Sequence, residues 1–211
     1  TACDGSGMYN RECSSPRMNN CTFSDNQGIT VSAKGGGMCN LFDSSPSLFN
    51  CIFLNNQVEG IQADGGGIYC NGGSPTLTNC MFFDNHAGNL AGGMFNLYDW
   101  PIMTNCVFFG NTAYRGGGMF NTTNSRPVMT NCVVYGNQAD SGGGLNNWSG
   151  SPTLTNCVVW GNTAVFSSDN IKNQYAEPVI TYSDIEGGYE GTGNISGTPM
   201  FANPGSWDFH L

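Results

Sequence analysis

The sequence is short of charge, of histidine and of long apolar runs. Only 10% of its 211 residues are charged, and it contains two histidines. No apolar run approaches the ~18 residues that a membrane-spanning helix needs, so the sequence predicts no membrane span. Six Lys and Arg residues against 15 Asp and Glu residues give a net charge of −9. This balance argues against the basic surface that binds phosphate backbones, and we therefore expect no nucleic-acid partner.

Cysteine is abundant, at ten residues, but the usual patterns of a metal site are missing. The chain has no C-x-x-C pair and only His86 and His210, so we expect no metal and no cofactor. Six cysteines recur at one repeat position, where strand stacking would place them ~4.8 Å apart with parallel side chains. That arrangement fits the disulfide torsion poorly and favours a ladder of buried thiols. Its members are Cys21, Cys51, Cys80, Cys106, Cys132 and Cys157, while the sequence leaves open the pairing of Cys3, Cys13, Cys39 and Cys70.

What the chain does contain is one repeat, marked by seven prolines at intervals of 25 to 30 residues. Its consensus reads G-G-G-M-F-N, a turn, and then S-P-T-L-T-N-C-V-F-F-G-N. A fixed period of this length indicates a solenoid in which each repeat buries its apolar face against its neighbours. The prolines are Pro16, Pro46, Pro75, Pro101, Pro127, Pro152 and Pro178.

Each repeat contains three short strand-like segments, which predicts an all-β parallel β-helix with three sheets. In the fifth repeat they begin at Gly116, Pro127 and Cys132. We expect about seven rungs over residues 1–186 and a capping segment over residues 187–211. Asparagine tolerates the left-handed backbone of a sharp corner, so two asparagine columns should form ladders. These columns are Asn20, Asn50, Asn79, Asn105, Asn131 and Asn156, and Asn26, Asn56, Asn85, Asn111, Asn137 and Asn162.

The motif G-G-[MI]-[YF]-N followed by S-P-T-L-T-N-C-x-F-x-x-N resembles the right-handed parallel β-helix repeats of large bacterial surface and secreted proteins. It is similar to the repeats of polymorphic outer-membrane proteins and, more distantly, to those of pectate lyases. The resemblance covers residues 4 to about 186 and implies a single-stranded right-handed solenoid in an extracellular or cell-surface protein. The chain opens on Thr1 within a repeat, without a visible signal peptide. We therefore expect a piece of a longer protein whose first rung has an open edge.

The third strand of each repeat has an unusually apolar outer face under period-2 alternation. Stacked over five rungs, its side chains predict a patch large enough to mark an association surface. The alternative is that the C-terminal tail covers the patch with Tyr189, Met200, Phe201, Trp207 and Phe209. The predicted association face consists of Ile52, Leu54, Met81, Phe83, Val107, Phe109, Val133, Tyr135, Val158 and Trp160.

The first strand predicts a second surface, in which aromatic rings stand beside outward glycines. Such rings could stack on sugars. In the polysaccharide lyases that the repeat resembles, the same sheet carries the substrate groove, so the resemblance implies carbohydrate binding or cleavage as an alternative function. The other interpretation is that the rings only cover neighbouring glycines. The predicted glycan shelf consists of Tyr9, Tyr69, Phe95 and Phe120. Beside it runs a column that we interpret as a structural ion-pair ladder: Asp4, Lys34, Asp64, Leu90, Arg115 and Ser141.

The second strand predicts a flat face that is rich in threonine and resembles the faces of ice-binding β-solenoids. Threonine is also simply a common exposed strand residue. The residues of this face are Thr76, Thr78, Thr104, Thr130, Thr153, Thr155 and Thr181.

Taken together, these patterns favour a non-enzymatic extracellular solenoid that has a structural or adhesive role. We expect it to associate with itself or with another surface protein through the third-strand face. Open solenoid ends would also permit filaments, since a non-closing head-to-tail contact propagates. A polysaccharide lyase, a glycoside hydrolase or a polysaccharide-binding protein is the second interpretation, and ice binding is the third.

Overall fold

A computed structural model describes residues 7–206 and 208–209 of the chain. Its 27 described strands form a right-handed parallel β-solenoid of about seven turns. The strands lie in four parallel sheets rather than the three that the repeat predicts. Cys3, Asp4, Trp207 and His210 lie outside the described residues. Within those residues, no helix is long and apolar enough to cross a membrane.

The first two sheets each contain seven strands, one from every turn. The first sheet consists of β1 (Met8–Asn10), β5 (Met38–Leu41), β9 (Ile68–Gly73), β13 (Met94–Asp99), β17 (Met119–Thr122), β21 (Leu145–Trp148) and β25 (Ile171–Gln174). The second consists of β2 (Arg17–Asn19), β6 (Ser47–Phe49), β10 (Thr76–Thr78), β14 (Ile102–Thr104), β18 (Val128–Thr130), β22 (Thr153–Thr155) and β26 (Val179–Thr181).

The third and fourth sheets complete each turn. The third consists of β3 (Thr22–Ser24), β7 (Ile52–Leu54), β11 (Met81–Phe83), β15 (Val107–Phe109), β19 (Val133–Tyr135), β23 (Val158–Trp160) and β27 (Asp184–Ile185). The fourth consists of β4 (Gln27–Gly28), β8 (Gln57–Val58), β12 (His86–Leu90), β16 (Thr112–Arg115), β20 (Gln138–Ser141) and β24 (Thr163–Ser167).

The fourth sheet escaped prediction because its strands bury only small side chains. Its interior is a separate cluster in which Ala63 and Ala87 pack beside Val58, rather than a row of large apolar residues. Period-2 alternation between alanine and polar residues gives a weak strand signal. The backbone nevertheless pairs in register there, for example Ala113 with Ala139.

The main core is a set of identical side chains stacked from rung to rung. The rings of Phe23, Phe53, Phe82 and Phe108 stack face to face, with centroids 4.5–4.9 Å apart. The predicted thiol ladder is confirmed, because all six of its cysteines are free and five are buried. Five of these thiols also donate to the carbonyl two residues earlier at 3.3–3.4 Å. Of the other cysteines, Cys13 and Cys70 are free and Cys39 is in a disulfide.

Both predicted asparagine ladders are confirmed. The exposed one occupies the corner between the second and third sheets, where its asparagines have φ of 51–54°. The interior one follows the third sheet. There Asn111, for example, donates to Phe82 O and Asn137 Oδ1, both at 2.9 Å, and accepts from Asn85 N and Nδ2. Each interior amide therefore satisfies groups on two neighbouring rungs.

A third asparagine ladder, absent from the sequence-based prediction, lies inside the first sheet. Its amides bond in series at 2.8–2.9 Å, from Asn96 through Asn121 onwards. Cys70 interrupts it, and the next rung carries a buried carboxylate, Asp99. Within the described residues, four buried oxygen atoms here lack a hydrogen-bond partner: Asn96 Oδ1, Asp99 Oδ1 and Oδ2, and Ser125 Oγ. The break in the ladder coincides with unsatisfied polar groups.

The C-terminal end of the solenoid is closed by the segment that follows β27. Its backbone adds to the last rung, with Ile185 N donating to Ile195 O at 3.0 Å and Ile195 N donating to Ser183 O at 2.9 Å. Asn194 Nδ2 donates to Ile180 O at 2.9 Å, and Tyr189 packs against the main core. These contacts satisfy strand edges that would otherwise be open to strand addition.

Candidate functional site

The C-terminal strap, which we define as residues 196–206 and 208–209, lies over part of the outer face of the third sheet, at Phe109 and Tyr135. The Phe209 ring lies 5.4 Å from the Phe109 ring and 5.9 Å from the Tyr135 ring, measured between centroids. Phe201 lies 5.3 Å from both Tyr135 and Phe209. The expectation of an exposed association face is therefore wrong at Phe109 and Tyr135, where Phe201 and Phe209 provide the cover that the alternative expected. Of the other tail residues in that alternative, Met200 is 85% exposed and Tyr189 packs against the main core.

The ten predicted residues do lie together on this face, but none of them is fully exposed. Phe83 and Val158 are buried and the other eight are half-buried. A short strap suffices because it folds back on itself, with Asn203 N donating to Asp208 O and Asp208 N donating to Asn203 O. This reversal brings both phenylalanine rings to one face with few residues.

We expect Phe209→Ala to loosen the strap and expose the third sheet. Loss of a half-buried ring should lower the free energy of unfolding by about 1–2 kcal/mol and increase the fluorescence of a hydrophobic dye several-fold. Met200→Ala is the matched control, because Met200 belongs to the same strap but is 85% exposed. Equal dye binding by wild type and both variants would show that the strap does not shield this face.

The predicted glycan shelf on the first sheet is not an open surface. Tyr69, Phe95 and Phe120 are at most 7% exposed, whereas Tyr9 is 46% exposed. The three buried rings belong to a second apolar cluster, and the half-buried side chain of Leu90 packs against it. The expectation of an open shelf is therefore wrong at the three buried rings, which supports the interpretation of the rings as packing. The lyase alternative loses the surface on which it depended.

Long side chains from the neighbouring column close this shelf. Lys34 Nζ lies 5.3 Å from the centroid of the Tyr69 ring and also forms an ion pair with Asp64. Burial raises the pKa of the Asp64 carboxyl in spite of Lys34, and it raises the pKa of Tyr69 to about 12. The next basic residue of the column, Arg115, lies over the rings of Tyr114 and Trp148. The ladder interpretation thus describes the pair Lys34–Asp64 but not Arg115.

The outer face of the second sheet is open. Ile102, Val128 and Val179 are 50%, 40% and 57% exposed. From β10 to β26 the ten outward side chains are all Thr, Ile or Val, so this stretch carries no charge. The strands pair in register, which places Thr78, Thr104, Thr130, Thr155 and Thr181 in one column. The second column consists of Thr76, Ile102, Val128, Thr153 and Val179.

A further group of exposed side chains was not predicted from the sequence. The corner between the first and second sheets carries large aromatic residues before four of the seven repeat prolines. A turn usually contains Gly, Asn, Asp or Ser, so an aromatic residue at such a position was the available signal. We call this group the corner ridge, and it consists of Phe42, Tyr98, Trp100, Trp148 and Tyr175.

Comparison with known families agrees with this architecture. A family model described as a right handed beta helix region matches residues 1–113 and 50–175. The chain therefore belongs to the right-handed β-helix family. No curated protein and no solved structure matches it.

Proposed function

We propose that this protein is a non-enzymatic structural and adhesive solenoid of the cell surface or the extracellular space. It associates with a second copy through the open outer face of the second sheet. The observation that supports this role is that ten uncharged outward side chains stand together on a chain of net charge −9. Two copies can approach through this face without juxtaposing like charges.

The side chains of this face suit the packing of one sheet on another. Isoleucine, valine and threonine are branched at Cβ and hold few rotamers, so little side-chain entropy is lost on contact. Facing sheets pack ~10 Å apart, and identical columns at one strand spacing can interdigitate. The exposed methyl groups of Ile102, Val128 and Val179 would supply the apolar contact.

The size of the face sets the strength of the contact. The five strands from β10 to β26 at ~4.8 Å and three residues at ~3.3 Å give a face of roughly 24 by 10 Å, or about 240 Å² per copy. A stable protein interface buries about 1,200–2,000 Å² in total. One pair of copies should therefore bind weakly, and adhesion would come from many copies held on one surface.

The double variant Val128→Lys/Val179→Lys tests this proposal. It places two charges in the proposed contact, and we expect it to abolish the concentration-dependent association of the wild type in sedimentation velocity. Val165→Lys is the control, because Val165 is 65% exposed but lies in β24 of the fourth sheet. Association that persists unchanged in the double variant would refute the use of this face.

A second candidate function uses the same face. The five threonines in register present hydroxyl and methyl groups at a regular spacing, which is a pattern that can order water at an ice surface. Thermal hysteresis of the wild type, lost in Thr104→Leu/Thr130→Leu, would favour this function. Wild-type protein without thermal hysteresis would exclude it and leave self-association as the role of the face.

A further inference from the structure

The corner ridge holds a row of aromatic side chains in water. Phe42, Tyr98 and Trp100 are 55–59% exposed, Trp148 is 36% exposed and Tyr175 is 80% exposed. We propose that this ridge binds an extended chain of a neutral polysaccharide by stacking its rings on the faces of the sugars. This site differs from the second-sheet face in its residues and in the chemistry of its ligand.

The backbone at these positions argues against a purely structural role. Phe42, Tyr98 and Tyr175 have left-handed φ of 53°, 52° and 53°. That conformation is uncommon for bulky residues and costs on the order of 1 kcal/mol or more each. The register places Gly72, with a φ of 70°, opposite Tyr98 in the third rung. Folding gains little from an aromatic residue there, since the ring is neither buried nor conformationally favoured.

The spacing of the rings suits an extended sugar chain. Phe42 and Tyr98 occupy the same register position on β5 and β13, which are alternate strands of the first sheet. Trp148 lies on the next alternate strand, β21, one residue before that position. Alternate strands lie two strand spacings apart, or roughly 10 Å. An extended β-1,4-linked chain repeats every two sugars, over a length close to this. The intervening rungs carry Gly72 and Thr123 at the corner, which leaves room between the rings.

Local contacts hold several of these side chains in place. Trp100 Nε1 donates to Asn124 O at 3.2 Å, and the Trp148 and Tyr175 rings meet edge to face at 6.3 Å. Arginine groups lie beside two of the rings, with the Arg115 guanidinium 5.6 Å from Trp148 and that of Arg11 5.2 Å from Phe42. Rings that are already ordered lose less entropy on binding, and guanidinium groups can donate hydrogen bonds to sugar hydroxyls.

The charges around the ridge favour a neutral ligand over a polyanion. Apart from the buried Asp99, three basic and three acidic side chains lie along this corner, so its exposed charge is close to balanced. A protein of net charge −9 also repels a polyanion at long range. The six residues are Arg11, Arg115, Arg126, Glu12, Asp43 and Glu177.

Affinity electrophoresis in gels that contain hydroxyethyl cellulose, xylan or polygalacturonate tests the proposal. We expect the neutral β-1,4-glycans to retard the wild type. Trp148→Ala and Tyr98→Gly should each weaken retardation roughly tenfold, as expected for loss of one stacking ring. Tyr98→Gly should bind poorly without losing thermal stability, since glycine relieves the left-handed strain. Phe166→Ala is the control, because Phe166 is 75% exposed on the fourth sheet, and it should migrate like wild type.

Three results would overturn the proposal. The first is wild-type protein that neither neutral glycan retards. The second is retardation that survives unchanged in Trp148→Ala and Tyr98→Gly. The third is retardation by polygalacturonate alone that salt abolishes, which would identify a charge contact rather than ring stacking. None of these results bears on self-association through the second sheet, which the Val128→Lys/Val179→Lys variant tests separately.

Discussion

Replacing Asn111 with alanine is expected to lower the free energy of unfolding by about 4 kcal/mol. The side chain is fully buried and serves four hydrogen-bonding groups: Phe82 O, Asn137 Oδ1, Asn85 N and Asn85 Nδ2. Alanine leaves Asn85 N without an acceptor, which costs about 1–3 kcal/mol for an unsatisfied buried group, and it removes one hydrogen bond of about 1 kcal/mol from each of the other three groups. Asn137 Oδ1 still accepts from Asn111 N, and Asn85 Nδ2 still donates to Phe53 O. Denaturant unfolding followed by circular dichroism measures the change.

Asn105→Gly is the matched control for this variant. Asn105 belongs to the exposed ladder, where it donates to Asn79 Oδ1 at 3.1 Å and has a φ of 53°. Water can replace its hydrogen bonds and glycine keeps the left-handed backbone, so we expect a loss below about 1 kcal/mol. Similar losses in the two variants would contradict the conclusion that the interior ladder contributes far more than the exposed one.

The second large effect concerns Asp99 and pH. Both carboxylate oxygens are buried without a well-placed partner, and burial raises the pKa of Asp99 from 3.8 to about 7. Between these two values the folded protein holds a proton that the unfolded chain has released. The stabilising contribution of the protonated Asp99 carboxyl is therefore complete below pH ~4. It decreases as the pH rises towards 7 and is lost above that pH. A shift of about three units corresponds to about 4 kcal/mol.

Asp99→Ser should remove this pH dependence, because serine occupies the same corner position in the next rung, at Ser125, and two rungs earlier, at Ser44. We expect the variant to be more stable than wild type by about 3–4 kcal/mol at pH 8 and nearly equal to it at pH 4. Burial also raises the pKa values of Asp64 and Asp84, so a smaller decline in the same direction should remain. Asp43→Asn, at an exposed carboxylate of the same corner, should keep the wild-type profile. If the free energy of unfolding of Asp99→Ser falls with rising pH as steeply as that of wild type, Asp99 is not the source of the pH dependence.

Much of the fold was predictable because the same sequence pattern recurs in seven repeats. A single rung such as Pro127 to Tyr135 identifies its strands, and its recurrence identifies the stacking partners, the thiol ladder and two asparagine ladders. The fourth sheet was missed because alanine, as at Ala113 and Ala139, gives little signal of an inward face. The third ladder was missed although its asparagines belong to the consensus, and Cys70 conceals its continuity.

The functional surfaces were less predictable because they depend on what covers each sheet. Alternation correctly placed Phe109 and Tyr135 on an outer face, but it could not show that Phe201 and Phe209 would return to cover them. Alternation likewise placed Phe95 and Phe120 on an outer face but could not show that side chains of the neighbouring column, such as Leu90, would pack against them. On the second sheet, Ile102, Val128 and Val179 remain 40–57% exposed, and no pattern in the sequence distinguishes this face from the covered one. The corner ridge stands at strand ends and in turns, where strand periodicity gives no signal of an exposed aromatic residue.

Small-angle X-ray scattering over a concentration series tests the central claim most directly. Side-by-side pairing through the second sheet predicts that the cross-sectional radius of gyration rises with concentration while the maximum dimension stays close to that of one solenoid. A maximum dimension that doubles at constant cross-section would show end-to-end stacking instead. A profile that does not change with concentration would show that the open face does not pair.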